Sequence, residues 1–168
     1  MIRALPARGR PLFTPSPVHI PRQLVVFRVG ATDYGLDIDA VEEILPLLDI
    51  TSLAGAPGGV LGIADVRKRV VPIFDLHWKF GMPKPAFDPN TRLILVEVGE
   101  GPVGLLVDEV AEVLSVNRES FQSVATPGDN SGLGYLNGVF REASGLVLWV
   151  DHLRLVPNGV ARTALVAA

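Results

Sequence analysis

Three histidines, His19, His77 and His152, are the side chains with the greatest potential for chemistry in this sequence. Imidazole is the commonest general base in enzymes and a frequent metal ligand. The spacing of these histidines matches no metal-binding motif, and the chain has no cysteine. Neither a G-x-S-x-G nucleophile elbow nor a glycine-rich phosphate loop occurs. We therefore expect no metal, no cofactor and no catalytic activity.

Four aspartates recur as two pairs, Asp39 with Asp108 and Asp75 with Asp151, each after a predicted strand. An aspartate in that position commonly caps a helix, because its carboxylate accepts hydrogen bonds from the first free backbone N–H groups. We predict a short helix after each of them. The alternative is chemical. Asp39 and Asp108 could form a catalytic carboxylate pair, or Asp75, His77 and Asp151 could line the cleft of a small-molecule-binding or hydrolytic double barrel.

Charge is unevenly distributed along the 168 residues, which carry a net charge of −3. Residues 1–22 contain four arginines, several prolines and no acid, which predicts a disordered arm. The remaining chain has 11 basic and 18 acidic residues, a balance that argues against nucleic-acid binding. No apolar run is long enough to span a membrane, so we expect a cytoplasmic protein.

Short runs of Val, Leu and Ile, separated by turn residues about every ten positions, predict an all-β sandwich or barrel. The predicted strands are Leu24–Val29, Tyr34–Ile38, Ile50–Leu53, Val60–Val66, Val70–Phe74, Leu93–Val98, Val103–Val107, Glu112–Val116, Leu136–Phe140 and Leu146–Val150.

An internal repeat organises these strands. Phe27–Leu45 aligns without a gap over Val96–Leu114, with eight identities in nineteen positions. Gly62–Asp75 aligns in the same way over Gly138–Asp151. The protein is therefore a duplication of a unit that is only marginally large enough to fold alone, and we expect the two units to share an interface.

The repeat sets the expected domain boundaries. We predict a first barrel at about residues 23–85 and a second at about 91–156, with strand exchange between them left open. The proline-rich stretch at residues 82–91 is the predicted connector, since proline disfavours strand pairing. Residues 157–168 are expected to be a flexible tail.

Two segments are candidates for protein binding. Val41–Ile50 (VEEILPLLDI) has more large apolar side chains than one short helix beside a small barrel can bury, so it forms either core or a binding face. Glu42, three residues after Asp39, fits a capping box for that helix. Asp65–Val70 (DVRKRV) places three consecutive cations between two apolar strands, as either a solvated turn or a partner-binding tip.

These motifs also resemble the CheW family of bacterial chemotaxis coupling proteins over Gln23–Val156. The resemblance rests on five motifs in the family's order, namely YGLDIDAVEEIL (34–45), GIADVRKRVVPIFDL (62–76), FG (80–81), TR (91–92) and GLLVDEVAEVL (104–114). It implies two five-stranded barrels of the Src-homology-3-like type. It also implies a non-enzymatic adaptor between the cytoplasmic tips of chemoreceptors and the regulatory domain of the histidine kinase CheA.

The resemblance also implies site residues. Receptor contact falls on Arg67, Val41, Glu43 and Gly62, and kinase contact on exposed apolar residues of the first barrel, Ile44 and Leu47.

Two positions in the receptor-binding segment depart from the family's pattern, because Lys68 replaces a glycine and Asp65 an asparagine. The turn is therefore expected to be reshaped, since a left-handed conformation is costly outside glycine. The motifs do not distinguish flagellar chemotaxis from another chemosensory pathway, such as one controlling pili.

Overall fold

The computed structural model describes residues 19–83, 86–124 and 132–163. Within these residues, the chain forms eleven strands and two short α-helices, which confirms the all-β prediction. The strands are β1 (Gln23–Val29), β2 (Thr32–Asp37), β3 (Val41–Pro46), β4 (Val60–Val66), β5 (Arg69–Asp75), β6 (Arg92–Glu97), β7 (Pro102–Val107), β8 (Glu109–Ser115), β9 (Phe121–Gln122), β10 (Leu136–Glu142) and β11 (Gly145–Val150). The helices are α1 (Leu76–Lys79) and α2 (His152–Leu155).

The strands form two sheets, each curled into a small barrel. The six-stranded barrel has the order β8-β1-β2-β11-β10-β9, and the five-stranded barrel has the order β3-β6-β7-β5-β4. The five-stranded barrel closes where Thr51 and Ile63 exchange two backbone hydrogen bonds, of 2.8 and 2.9 Å. The six-stranded barrel closes where β9, which follows β8 in the chain, pairs with β10. The strand expected at Ile50–Leu53 is reduced to that single bridge at Thr51.

The duplication is visible in the strand order, but each half exchanges one hairpin with the other. The β1–β2 hairpin pairs with β8 and β11 of the second half, and the β6–β7 hairpin pairs with β3 and β5 of the first. The expected division at about 23–85 and 91–156 therefore applies only with the strand exchange that the sequence leaves open. Each barrel takes strands from both halves.

The exchanged hairpins build a core between the barrels. One face of each hairpin enters it, with fully buried side chains that include Phe27, Leu36, Ile94 and Leu105. The opposite faces fill the interiors of the two barrels. Each fully buried large side chain contributes about 1.5–3 kcal/mol to the free energy of folding. Because both halves supply side chains to this core, we expect them to fold together.

Two of the four predicted helix caps are present. The carboxylates of Asp75 and Asp151 each accept a 2.9 Å hydrogen bond from the backbone N–H two residues on, at the starts of α1 and α2. The expectation is wrong for Asp39 and Asp108, because strands β3 and β8 follow them. Pairing of these strands with β6 and β1 outweighs the local helix signal.

The helix predicted within Val41–Ile50 is therefore also wrong, and Glu42 forms no capping box. Side chains along β3 alternate between partly buried and exposed, as on a strand with one face toward a core. This strand lies at one end of the five-stranded sheet.

The ends of the described chain pack onto the barrels. Ile20 contacts the core of the six-stranded barrel, while residues 1–18 of the predicted arm lie outside the described residues. The expected flexible tail is wrong for Val160 and Ala161, which are buried in the central core because apolar side chains there gain by leaving water. Residues 164–168 lie outside the described part.

Candidate protein-binding site

The loop joining β4 to β5 is a tight two-residue turn. Val66 pairs with Arg69, which leaves Arg67 and Lys68 as the central residues, with φ angles of 51° and 66°. Two positive φ angles in a two-residue hairpin indicate a type I′ turn, which favours Asn-Gly. The left-handed region costs a residue with a side chain about 1–2 kcal/mol, so this turn carries strain. The left-handed backbone is thus adopted with lysine in place of glycine.

Two ion pairs connect this hairpin to β3 at the other end of the sheet. Nη2 of Arg67 donates a hydrogen bond to Oε1 of Glu43, and Nη2 of Arg69 lies 3.3 Å from Oε2 of Glu42. The Arg67 side chain remains 77% exposed, and exposed ion pairs are worth at most about 1 kcal/mol. Stability alone does not explain why two cations are held at this strained tip.

Gly62 has a structural role beneath the tip. It lies at a register shift between β4 and β5, has a φ of 154° and is buried. A β-carbon at this position would collide with the backbone carbonyl of Thr51, the residue that closes the barrel. A β-carbon at its repeat equivalent Gly138 would instead meet the ring of Phe121. Gly62 thus shapes the surface and offers no side chain to a partner.

The three apolar residues assigned to binding differ in exposure. Ile44 points outward from β3 and is 40% exposed. Leu47 is partly buried and packs against the core of the five-stranded barrel. Val41 is partly buried against the central core. Of these three, Ile44 offers the most apolar surface to a partner.

Sequence reasoning missed an exposed apolar residue beside the tip. Val70, which lies on β5 close to the turn, is 50% exposed. The repeat supplies the signal that could have found it, because the positions equivalent to Ile44 and Val70, which are Val113 and Leu146, are also exposed. An exposed apolar pair that recurs in both halves is unusual for residues with only a packing role.

The polar cluster predicted from Asp75, His77 and Asp151 forms with Asp108 in the place of Asp151. Nδ1 of His77 lies 2.9 Å from Oδ1 of Asp75, and Nε2 lies 2.8 Å from Oδ1 of Asp108. Asp151 instead lies 3.6 Å from the guanidinium of Arg154. Because both nitrogens of the buried His77 are occupied by carboxylates, the imidazole has no free atom for a substrate. The arrangement is that of a structural contact between elements.

An open cleft elsewhere on the surface does not contain that cluster. It has a volume of about 450 Å³ and is strongly acidic, and the charged or titratable residues lining it are Asp37, Asp39, Glu42, Glu97, Asp151 and His152. In the described part of the chain, no group of histidine and acidic side chains is arranged to hold a metal ion. Asp39 and Asp108 do not form a catalytic pair, since Asp108 is bonded to His77 and Gly30.

Two tyrosines lie in the central core. Burial raises the pKa of Tyr135, and burial together with the charge of Tyr135 raises the pKa of Tyr34. Tyr34 stacks on Phe80, which also contacts Tyr135, and the ammonium of Lys79 lies 5.8 Å from the Tyr135 ring. These phenols stay neutral at neutral pH and contribute packing.

No helix among the described residues is long and apolar enough to cross a membrane.

Comparisons with known proteins identify the family. The family described as CheW-like domain matches residues 23–159. A chemotaxis protein CheW of Rhizobium meliloti is 32% identical over 139 residues, which cover 82% of this chain and 88% of that protein. One of Klebsiella aerogenes is 30% identical over 139 residues, covering 83% and 84%.

A solved structure has the same fold. The crystal structure of the scaffolding protein TtCheW from Thermoanaerobacter tengcongensis superposes with a TM-score of 0.73 at 28% identity, covering 84% of this chain and 97% of that one. Proteins of this family are scaffolds or adaptors and not enzymes. With a family match over most of its length and a shared fold, this chain belongs to the CheW-like family of chemotaxis scaffolding proteins.

Proposed function

We propose that this chain is an adaptor that couples the cytoplasmic tips of chemoreceptors to the regulatory domain of the histidine kinase CheA. The observation that carries the proposal is the hairpin tip. Arg67 is largely exposed, is anchored by Glu43 and stands on a strained turn. Backbone strain of this kind persists at binding sites, where a fixed geometry is worth more than the stability that it costs.

The receptor contact is centred on Arg67 and Glu43. A guanidinium has five N–H donors, so an arginine with one donor on Glu43 keeps others for a carboxylate or a carbonyl of the receptor. Val41 and Gly62 support this contact from below. Val41 packs against the central core, and Gly62 permits the close approach of Thr51.

The kinase contact uses the exposed apolar surface of β3. Ile44 is its central residue, and Leu47, which is partly buried, forms the margin. Protein interfaces concentrate their affinity in a few such apolar anchors. Because Glu43 directly precedes Ile44 on β3, the two proposed contacts lie next to each other on one strand. We propose that one adaptor binds both partners at once.

A reconstitution experiment tests the proposal. The purified chain is mixed with a receptor tip fragment, with the CheA regulatory domain, and with both, and each mixture is analysed by size-exclusion chromatography with light scattering. We expect two binary complexes and one ternary complex. Displacement of one partner by the other, or the absence of binding to both, would contradict the adaptor role.

The proposal also places the protein in the cytoplasm, at membrane receptor arrays. A fluorescent fusion should form clusters in cells with chemoreceptors and should be diffuse in cells that lack them.

A further inference from the structure

The receptor-binding tip contains one polar contact that the proposed function does not use. Oδ1 of Asp65 accepts a hydrogen bond of 2.8 Å from the backbone N–H of Lys68. Asp65 is exposed on β4, where it pairs with Val70, one position before the turn begins. Its carboxylate therefore reaches over Val66 and Arg67 to the second central residue of the turn.

This contact falls where the backbone is under strain. Among the described residues, Arg67 and Lys68 are the non-glycine residues with positive φ. Glycine adopts such a conformation freely, whereas lysine requires support from its surroundings. A hydrogen bond to a carboxylate is stronger than one to a neutral acceptor, and this one stabilises the turn only while Lys68 stays left-handed.

The conformation of this turn also sets the direction of the Arg67 side chain. The mirror-image turns match the right-handed twist of paired strands, whereas a type I turn would splay them. A splayed hairpin would move Arg67 away from Glu43, because Arg67 lies in the β4–β5 turn and Glu43 lies on β3, at the other end of the strand order. The orientation of the Arg67 guanidinium thus depends on the conformation of Lys68.

We infer that Asp65 is a positioning residue for Arg67: its carboxylate holds Lys68 in the left-handed conformation that glycine would adopt unaided. This inference rests on the proposed receptor contact of Arg67. It gives Asp65 and Lys68 a coupled role, since the need for the carboxylate arises from the lysine.

The test compares four variants, Asp65→Ala, Asp65→Asn, Lys68→Gly and the double variant Asp65→Ala/Lys68→Gly. Receptor-tip affinity is measured by calorimetry. Amide exchange of Lys68 and the Nε–Hε signal of Arg67 are measured by NMR in the free protein. Glu119→Ala serves as the charge control, because Glu119 is exposed and lies outside the β4–β5 hairpin.

We expect Asp65→Ala to weaken receptor binding about tenfold, accelerate exchange of the Lys68 amide and shift the Arg67 signal. Asp65→Asn keeps an oxygen acceptor and should stay within about threefold of the unmodified chain. Lys68→Gly should restore binding in the Asp65→Ala background, although it removes a cation. Glu119→Ala should change neither measurement.

Two results would overturn the inference. One is equal losses for Asp65→Ala and Asp65→Asn without rescue by Lys68→Gly, which would indicate a simple charge effect. The other is an Arg67 signal and Lys68 exchange that do not respond to Asp65→Ala. Failure of the proposed function is distinguishable, because the NMR signals would change as expected while Arg67→Ala left receptor binding intact.

Discussion

Nε2 of His77 lies 2.8 Å from Oδ1 of Asp108, a residue 31 positions away in the chain. The second oxygen of Asp108 accepts a 2.7 Å hydrogen bond from the N–H of Gly30, in the turn of the exchanged β1–β2 hairpin. Asp75 holds the other nitrogen of His77. This network therefore joins the two barrels through a buried imidazole and an aspartate that is one-third exposed.

Asp108→Ala should lower the free energy of unfolding by about 2 kcal/mol, because it leaves the buried imidazole of His77 without one of its two carboxylate partners. Its repeat equivalent Asp39 is exposed, and Asp39→Ala should change the free energy by less than about 0.5 kcal/mol. Urea unfolding of both variants measures the difference. Equal losses would mean that both residues serve the shared fold in the same way.

Gly62→Ala should destabilise the five-stranded barrel by about 1–3 kcal/mol, because the new methyl group meets the Thr51 carbonyl. The matched control is Gly132→Ala, since a methyl group there would meet no heavy atom within 4 Å. Thermal unfolding checks the pair. A stable Gly62→Ala variant with impaired receptor binding would instead assign Gly62 a direct contact.

Ile44→Asp should weaken binding of the CheA regulatory domain at least tenfold, because truncating an apolar anchor costs on the order of 2 kcal/mol. Its thermal midpoint should change little, since Ile44 is 40% exposed. Val113→Asp introduces the same charge at the equivalent exposed position of β8 and should leave kinase binding within about threefold. Similar losses in both variants would show that the kinase contact is not confined to β3.

Arg67→Lys and Arg67→Ala should both reduce receptor-tip binding and kinase activation strongly, because an ammonium cannot replace a planar guanidinium in a directed contact. Lys68→Ala should have a small effect that disappears at high salt, where the Debye length falls to about 3 Å at 1 M. Binding of CheA should survive in all three. The measurement is receptor binding and ternary kinase activity at two ionic strengths.

A basic patch without a specific contact would give a different pattern. In that case Arg67→Ala and Lys68→Ala would cause equal losses, and salt would erase both.

Stability should fall with alkaline pH because of Tyr34 and Tyr135. Burial, the first cause for both, places their pKa in the folded protein above the ordinary value of 10.0. The folded state therefore keeps protons that the unfolded state loses, so the stabilisation is complete below pH 10.0 and declines as the pH rises through the folded pKa. The slope is at most about 1.4 kcal/mol per pH unit for each tyrosine.

The check is urea unfolding between pH 8 and pH 11 for the unmodified chain and for Tyr135→Phe, pH values chosen to bracket the ordinary tyrosine pKa of about 10. The phenylalanine variant should lose stability less steeply. An identical slope would assign the alkaline loss to other groups.

Local patterns in the sequence were sufficient for most of the strands and for two helix caps. Val60–Val66 is predicted at its observed bounds, because an apolar run between turn residues has few alternatives. The caps at Asp75 and Asp151 are local as well, since each carboxylate bonds a backbone N–H two residues away. The repeat likewise follows from residue identities alone.

Local patterns failed where long-range pairing decides. Asp39 and Asp108 have the local signature of a helix cap, yet the chain after each is held as a strand by a partner from the other half. The same exchange brings Asp108, and not Asp151, to His77. No periodicity within either segment encodes these partners.

The composition, the duplication and the ordered motifs of this chain therefore determine an all-β double-barrel protein of the CheW type. Only the tertiary structure decides which hairpin completes which barrel, and which cations of Asp65–Val70 are anchored to β3. The physical reason is that the two hairpins are similar in sequence and are apolar on both faces. Local preferences are then nearly equal whether a hairpin pairs within its own half or with the other half. Burial of the shared central core decides between these two pairings.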